Sequence, residues 1–239
     1  MSNNFTIFTI CTENYKDAID FFLPSWLKLQ GLDEIIIYTD FDLVFPSDKV
    51  FVKNCISKTD DWLNIVGLKA TLLDRFISGF KKTNFAFLDI DCLVVSNFSQ
   101  VFDLNFDIAV TRLYAPKIHA SSGVWFCKAS KQVLKFAKEW VDTQNHYLDR
   151  KVGIRPHKSS YSQRSFSDII HREHKKSSYL NVLALDVKLY NYEHNSIDVW
   201  ISEICKYKPK IVHYKGRRWR NRQCVNKMQK EINAYKRSI

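Results

Sequence analysis

A single α/β domain with a mostly parallel central sheet flanked by helices is the fold this sequence predicts. Three observations carry that expectation. β-rich runs alternate with amphipathic helical periods through the first half of the chain, the pattern of strand–helix–strand units. The strand segments are short and apolar at almost every position, as in strands covered on both faces. The chain has 239 residues, 46% of them hydrophobic, with 6 Gly and 5 Pro. That suffices for one well-buried core and leaves little room for a second domain, repeats or low-complexity segments.

Phe5–Cys11 reads as the first strand, followed by a helical period over 15–29 whose apolar face is Ile19, Phe22, Leu23, Trp26 and Leu27. Gly31 ends that helix, and Glu34–Tyr38 reads as a buried strand running into Thr39 and Asp40. Val50–Val52 is a third strand candidate. Residues 67–80 return to helical spacing, with Leu68, Leu72, Leu73, Phe76 and Phe80 on one face. Phe85–Leu88 is a fully apolar strand suited to the middle of a sheet. Ile108–Thr111 and Val124–Cys127 follow as strands, and Lys131–Val141 as an amphipathic helix. Residues 146–165 are polar and basic and read as a long loop. Val182–Asp186 and Ile211–His213 are late strands, and 220–236 a basic helix or tail.

Charge narrows the function classes. Lys and Arg number 36 against 25 Asp and Glu, a formal net charge of +11. About a dozen of these cations lie between Lys206 and Arg237, opposed there by the single acid Glu231. Such a stretch suits an anionic partner: substrate phosphates, an acidic membrane surface or nucleic acid. Met1–Cys11 lacks the basic start and long apolar run of a signal peptide, and no apolar run approaches the roughly 20 residues of a membrane helix. The six cysteines are scattered without a CxxC pair, which fits reduced thiols better than a disulfide frame or zinc site. A cytoplasmic protein, able to touch a membrane peripherally, is expected.

The segment that carries chemistry is FAFLDIDCLVV, Phe85 to Val95. On a strand, residues two apart share a side, so Asp89 and Asp91 project together while Ile90 enters the core. Two carboxylates so close among apolar neighbours repel each other and are costly to desolvate. A divalent cation removes that penalty, and oxygen donors suit Mg²⁺ or Mn²⁺. Ligands of open α/β sheets bind beyond the carboxyl ends of the strands, where this pair falls.

Five blocks in order give the chain a resemblance to GT-A glycosyltransferases, the nucleotide-diphospho-sugar transferases, especially family-8-like members. They are TICTENY (Thr9–Tyr15), GLKATLLDRF (Gly67–Phe76), the DxD block with its continuation to Thr111, SSGVWFCKAS (Ser121–Ser130) and IVHYKG (Ile211–Gly216). Ser121 stands where the family usually has Asn, and Arg217-Arg218-Trp219 replaces the usual Lys-Pro-Trp continuation. The resemblance implies a catalytic domain over 1–216, with a nucleotide-binding half (1–95) and an acceptor and metal half (96–216), followed by a basic segment, 217–239. It implies transfer of a sugar from a nucleotide-diphosphate donor, a UDP-sugar being the expected one, to an acceptor hydroxyl on a glycan, lipid-linked saccharide or protein.

By that resemblance Asp89, Asp91 and His213 hold Mn²⁺ or Mg²⁺, with Asp89 also near the donor ribose. Lys215 and the backbone of Gly216 lie along the diphosphate, and Ser122 and Gly123 line the donor site. Cys11 (through its backbone), Thr12, Asn14 and Tyr15 surround base and ribose, although Thr12 and Asn14 serve equally as helix caps. Asp40 is a base contact by position. Of Lys69 and Arg75, six residues apart on a helix, at most one needs to reach the donor. Asp168 is the candidate base if the reaction inverts; if it retains configuration, Asp168 positions sugar or acceptor, and Ser167-Asp168 also reads as a helix start. The 146–165 loop is expected to close over the donor. Two alternatives stand beside this reading. A nucleotidyltransferase lacks support because TICTENYKD has no glycine-rich phosphate loop. Nucleic-acid binding through the basic C-terminal stretch leaves the acidic pair unexplained and is the less favoured partner class.

Overall fold

The computed structural model describes residues 4–54, 62–79, 83–111, 120–150, 158–193 and 206–214. A seven-stranded sheet forms the centre, in the order β3-β2-β1-β4-β7-β6-β8. Its strands are β1 (Phe5–Cys11), β2 (Leu32–Thr39), β3 (Val50–Asn54), β4 (Asn84–Leu88), β6 (Ile108–Thr111), β7 (Val124–Cys127) and β8 (Val182–Leu185). Only β7 opposes its neighbours β4 and β6; the other pairings in this sheet are parallel. A smaller sheet in the order β5-β10-β9 joins β5 (Cys92–Val94), β10 (Ile211–His213) and β9 (Tyr192–Glu193).

Strand alternation explains why these segments are apolar throughout. Ile7, Ile35, Ile37, Ala86 and Leu88 enter one core, with Ala18, Phe22 and Trp26 of helix α1 (Lys16–Trp26) and Val212 of the small sheet. The alternate residues Phe8, Ile36, Phe85 and Phe87 enter a second core on the opposite face. That face is covered by α2 (Trp62–Gly79), α3 (Lys131–Asp149) and α4 (Lys158–Lys176). The second core is aromatic: Phe87 stacks on Trp125 at 5.2 Å and Phe8 on Phe76 at 4.8 Å, while Phe166 brings α4 to within 4.9 Å of the Trp140 ring. Each such side chain, once buried, contributes roughly 1.5–3 kcal/mol.

Two expectations need correction. The 146–165 stretch is not a long loop: α3 continues to Asp149 and α4 begins at Lys158, leaving 151–157 outside the described residues. The start of α4 escaped the hydropathy pattern because much of its buried face is serine. Ser162, Ser165 and Ser167 are all buried, and the Ser162 carbonyl accepts Trp140 Nε1 at 3.1 Å. Small side chains let helices approach closely without an apolar stripe to announce them. The second correction concerns the acidic pair. β4 ends at Leu88, and Asp89-Ile90-Asp91 is a turn closed by Cys92 N donating to Asp89 O at 3.0 Å. Ile90 does enter the core, as expected.

The short helix α5 (Val187–Tyr190) begins at Asp186, whose side chain accepts from Lys188 N, and it links the two sheets. Among the described residues no helix is long and apolar enough to cross a membrane. The basic segment over 217–239 lies outside the described residues.

Candidate functional site

The large sheet reverses its winding at β1. The chain moves outward from β1 through β2 to β3, then returns to place β4 on the other side of β1. Such a switch opens a crevice beyond the strand carboxyl ends. Thr9 Oγ1 donates to Leu88 O at 2.6 Å and fixes the two strand ends side by side. The segment after β1 and the Asp89–Asp91 turn after β4 therefore flank one crevice.

His213 reaches the turn from a sequence distance of more than a hundred residues because β10 pairs with β5, directly after the turn. In that antiparallel register His213 faces Cys92, and Tyr214 N donates to Asp91 O at 3.0 Å. His213 Nε2 lies 3.2 Å from Asp91 Oδ1 and 3.7 Å from Asp89 Oδ2. The imidazole is almost fully enclosed. Asn191, after α5, orients it: Asn191 Nδ2 donates to Thr111 Oγ1 at 2.9 Å and Ser121 Oγ at 3.0 Å, which turns its carbonyl oxygen to His213 Nδ1 at 2.9 Å. An amide oxygen only accepts, so this network assigns the proton to Nδ1. With Nδ1 taken up by Asn191, Nε2 is the ring atom that faces the two carboxylate oxygens. A divalent cation among these three atoms would make every contact attractive. The donor set, oxygen and imidazole nitrogen with the second ring nitrogen anchored by an amide, fits such an ion.

Lys69 supplies a fixed cation beside this group. It is buried on α2, its Nζ lies 2.6 Å from Asp89 Oδ1 and 3.2 Å from Ser122 O, and it sits over the Phe87 ring at 4.7 Å. Arg75 is exposed on the same helix. Of these two helix cations, Lys69 is the one that packs against the acidic turn.

Gly123, just before β7, packs between the Asp89 turn and His213. Its backbone carbonyl accepts Asp89 N at 2.8 Å. A Cβ built there would lie 2.6 Å from Asp89 Oδ2, 2.6 Å from His213 Cε1 and 3.3 Å from Nδ1. The residue must be glycine for space rather than for backbone angle.

Ser122 binds α4: Gln163 Oε1 accepts from Ser122 N at 3.2 Å and Ser122 Oγ at 2.6 Å, while Gln163 Nε2 donates to Ala120 O. Asp168 does not join this arrangement. It lies on the exposed side of α4, where it accepts from Tyr147 at 2.8 Å and sits 3.6 Å from Arg164. Helical rotation explains the difference. Gln163 and Ser167, four residues apart, share the face toward residues 120–122, and the next residue, Asp168, is turned toward α3.

On the other side of the crevice, Thr12 is buried and its hydroxyl has no hydrogen-bond partner among the described residues, while Asn14 is exposed and Tyr15 half-buried. Thr12 makes no side-chain cap. Asp40 stands beside these residues and accepts from Glu13 N at 2.7 Å. Burial, with the Asp40 carboxylate adding, pushes the Cys11 thiol far above its ordinary range, so Cys11 remains a protonated wall residue. Lys215 and Gly216 lie outside the described residues.

Sequence reasoning missed Asn191 and Gln163. Asn191 stands alone in a tyrosine-rich stretch, and only the tertiary contact reveals it.

Solved structures of similar fold are glycosyltransferases. Among solved structures, a glycosyltransferase involved in glycosylation of the major capsid of PBCV-1 aligns at a TM-score of 0.59 and 11% identity, over 95% of this chain and 98% of that one. The galactosyltransferase LgtC, solved in complex with donor and acceptor sugar analogs, aligns at 0.59 and 10% identity, over 96% and 95%. The glycosyltransferase GlyE of Streptococcus pneumoniae TIGR4 aligns at 0.58 and 11% identity, and this chain, 98% covered, spans 64% of its length. These likenesses establish a GT-A fold. No curated protein matches the chain in sequence. The family model for nucleotide-diphospho-sugar transferases matches residues 18–230, and the chain belongs to that family.

Proposed function

We propose that the chain is a metal-dependent glycosyltransferase that moves a sugar from a nucleotide-diphosphate donor, a UDP-sugar, to the hydroxyl of a glycan, lipid-linked saccharide or protein. The observation that carries the reading is the convergence of Asp89, Asp91 and an Asn191-anchored His213 at the switch point of the sheet. These three side chains would hold Mn²⁺ or Mg²⁺, which supplies Lewis-acid neutralisation of a departing diphosphate.

The chain's own residues do the rest. Lys69 balances the Asp89 carboxylate and keeps it in place through two further contacts, to Ser122 O and the Phe87 ring. Thr12 offers a buried hydroxyl, without a partner among the described residues, on the base side of the crevice, and Asp40 fixes the neighbouring Glu13 backbone. Asn14, Tyr15 and the backbone at Cys11 border that side. Gln163, rather than Asp168, is the α4 side chain we assign to positioning the reacting sugar, because it alone of the two contacts Ser122. Lys215 and Gly216, two and three residues after His213 in sequence, are the residues we assign to the diphosphate. The cations from Lys206 to Arg237 suit an anionic acceptor or an acidic membrane surface.

A thermal-unfolding panel of nucleotide sugars, each with and without Mn²⁺, tests this. A ligand at a hundred times its Kd stabilises by about 2.7 kcal/mol. At least one nucleotide sugar should raise Tm only with metal present, and Asp91→Ala should abolish that shift while still folding. Full transferase activity of Asp91→Ala, or of the wild type in EDTA, would refute the assignment.

A further inference from the structure

The turn that carries the two aspartates runs directly into Cys92, and β5–β10 pairing sets Cys92 opposite His213. Cross-strand partners share a face of their sheet, so sulfur and imidazole emerge side by side. Asp91, Cys92 and His213 each offer a donor atom, and the three atoms lie within 4.8 Å of one another. All three residues are buried, and the Cys92 sulfur is not in a disulfide. Donors held at about 2.0–2.3 Å around a tetrahedral ion stand roughly 3.5 Å apart, so the cluster needs only small side-chain adjustments to close on one ion.

We infer that Cys92 gives this site a second ligand set, Asp91–Cys92–His213, which takes a thiophilic divalent ion such as Zn²⁺. The inference rests on the proposed cation site and adds a sulfur donor to it. Two features favour it. Lys69 already neutralises Asp89 at 2.6 Å, whereas among the described residues no Lys or Arg pairs with Asp91. One carboxylate, one thiolate and one neutral imidazole also balance a divalent charge, and mixed N/O/S donors select zinc over the harder Mg²⁺ and Mn²⁺. Both sets share Asp91 and His213, so Zn²⁺ and Mn²⁺ compete for them, and zinc at low concentration displaces the harder ion.

Titration of the metal-free full chain with Co²⁺ alone, followed by absorbance, tests the sulfur ligand directly. A thiolate-to-cobalt charge-transfer band should appear in the wild type, vanish in Cys92→Ser and Cys92→Ala, and be displaced by Zn²⁺. Calorimetric titration should show the Cys92 variants weakened toward Zn²⁺ by about tenfold or more, with Mn²⁺ affinity changed by less than about threefold. Near-ultraviolet circular dichroism checks that the variants fold; if neither does, the wild-type cobalt spectrum decides alone. Absence of the band, or unchanged Zn²⁺ affinity in a folded Cys92 variant, overturns the inference even if Asp91→Ala and His213→Ala weaken Mn²⁺. Wild-type affinity for every ion in those last two variants would overturn the cation site as well.

Discussion

Gly123→Ala is a small change with a large expected effect at the site. The added methyl would sit 2.6 Å from both Asp89 Oδ2 and His213 Cε1. Ordinary contact begins near 3.4 Å, so each neighbour has to yield by about 0.8 Å, or the β7 end must move. His213 cannot yield freely, because it is 3% exposed and its Nδ1 is held by Asn191 at 2.9 Å. Asp89 is the softer partner, with a side chain 28% exposed, yet turning it away lengthens its 2.6 Å contact with Lys69. Overpacking of this kind costs about 1–3 kcal/mol, and for a chain of this size Tm falls by roughly 2–4 °C per kcal/mol. A displacement approaching 1 Å among groups that must converge on one ion or substrate costs on the order of a hundredfold in rate. Calorimetric Mn²⁺ binding alongside thermal unfolding should show a modest Tm loss and an affinity drop of about tenfold or more. Wild-type Mn²⁺ affinity in a folded Gly123→Ala protein would refute the claim that these three residues form one tightly packed centre.

Three further outcomes follow from the same geometry. Asn191→Ala removes the acceptor that fixes His213 and the donor shared by the Thr111 and Ser121 hydroxyls; it should cost about 1–3 kcal/mol in urea unfolding and weaken Mn²⁺ by about 10–100-fold. Lys69→Met leaves Asp89 without its fixed cation and should lower stability by up to about 3 kcal/mol, with Mn²⁺ restoring more of the Tm than it adds to the wild type. The third concerns acid stability at the α3–α4 seam. The Arg172 guanidinium, working against burial and aided by Tyr179, holds Glu139 below the usual carboxylate range. Burial of Glu173 pushes upward but is outweighed by Ser178, Arg172 and the Tyr179 backbone, so it too is lowered. A depressed folded pKa contributes stability that is complete above the ordinary glutamate range and is lost as pH falls through the folded value. Glu139→Gln should therefore reduce stability at pH 7 and make little difference once the wild-type carboxyl is protonated; equal losses at both pH values in urea titrations would contradict this.

Most strands of the two sheets were readable from the chain because their causes are local. Phe5–Cys11, Ile108–Thr111, Val124–Cys127 and Ile211–His213 coincide with β1, β6, β7 and β10, since strands buried on both faces must be apolar at every position. The first half of helix α4 was hidden for the opposite reason: its packing uses buried serines, which composition reads as loop. The choice of Lys69 over Arg75 was reachable only as a restriction to one of them, since spacing shows that they diverge but not which one faces the sheet.

What the sequence determined by itself was the presence of paired acids after a buried strand and a late histidine, residue types whose desolvation cost demands compensation. Only the tertiary structure decided how they meet. The acids share a turn rather than a strand face, His213 arrives by pairing β10 against β5, and Asn191 assigns its ring proton. The physical reason is separation along the chain: contacts between residues 22 to more than a hundred positions apart depend on sheet register and helix rotation, which no local periodicity encodes.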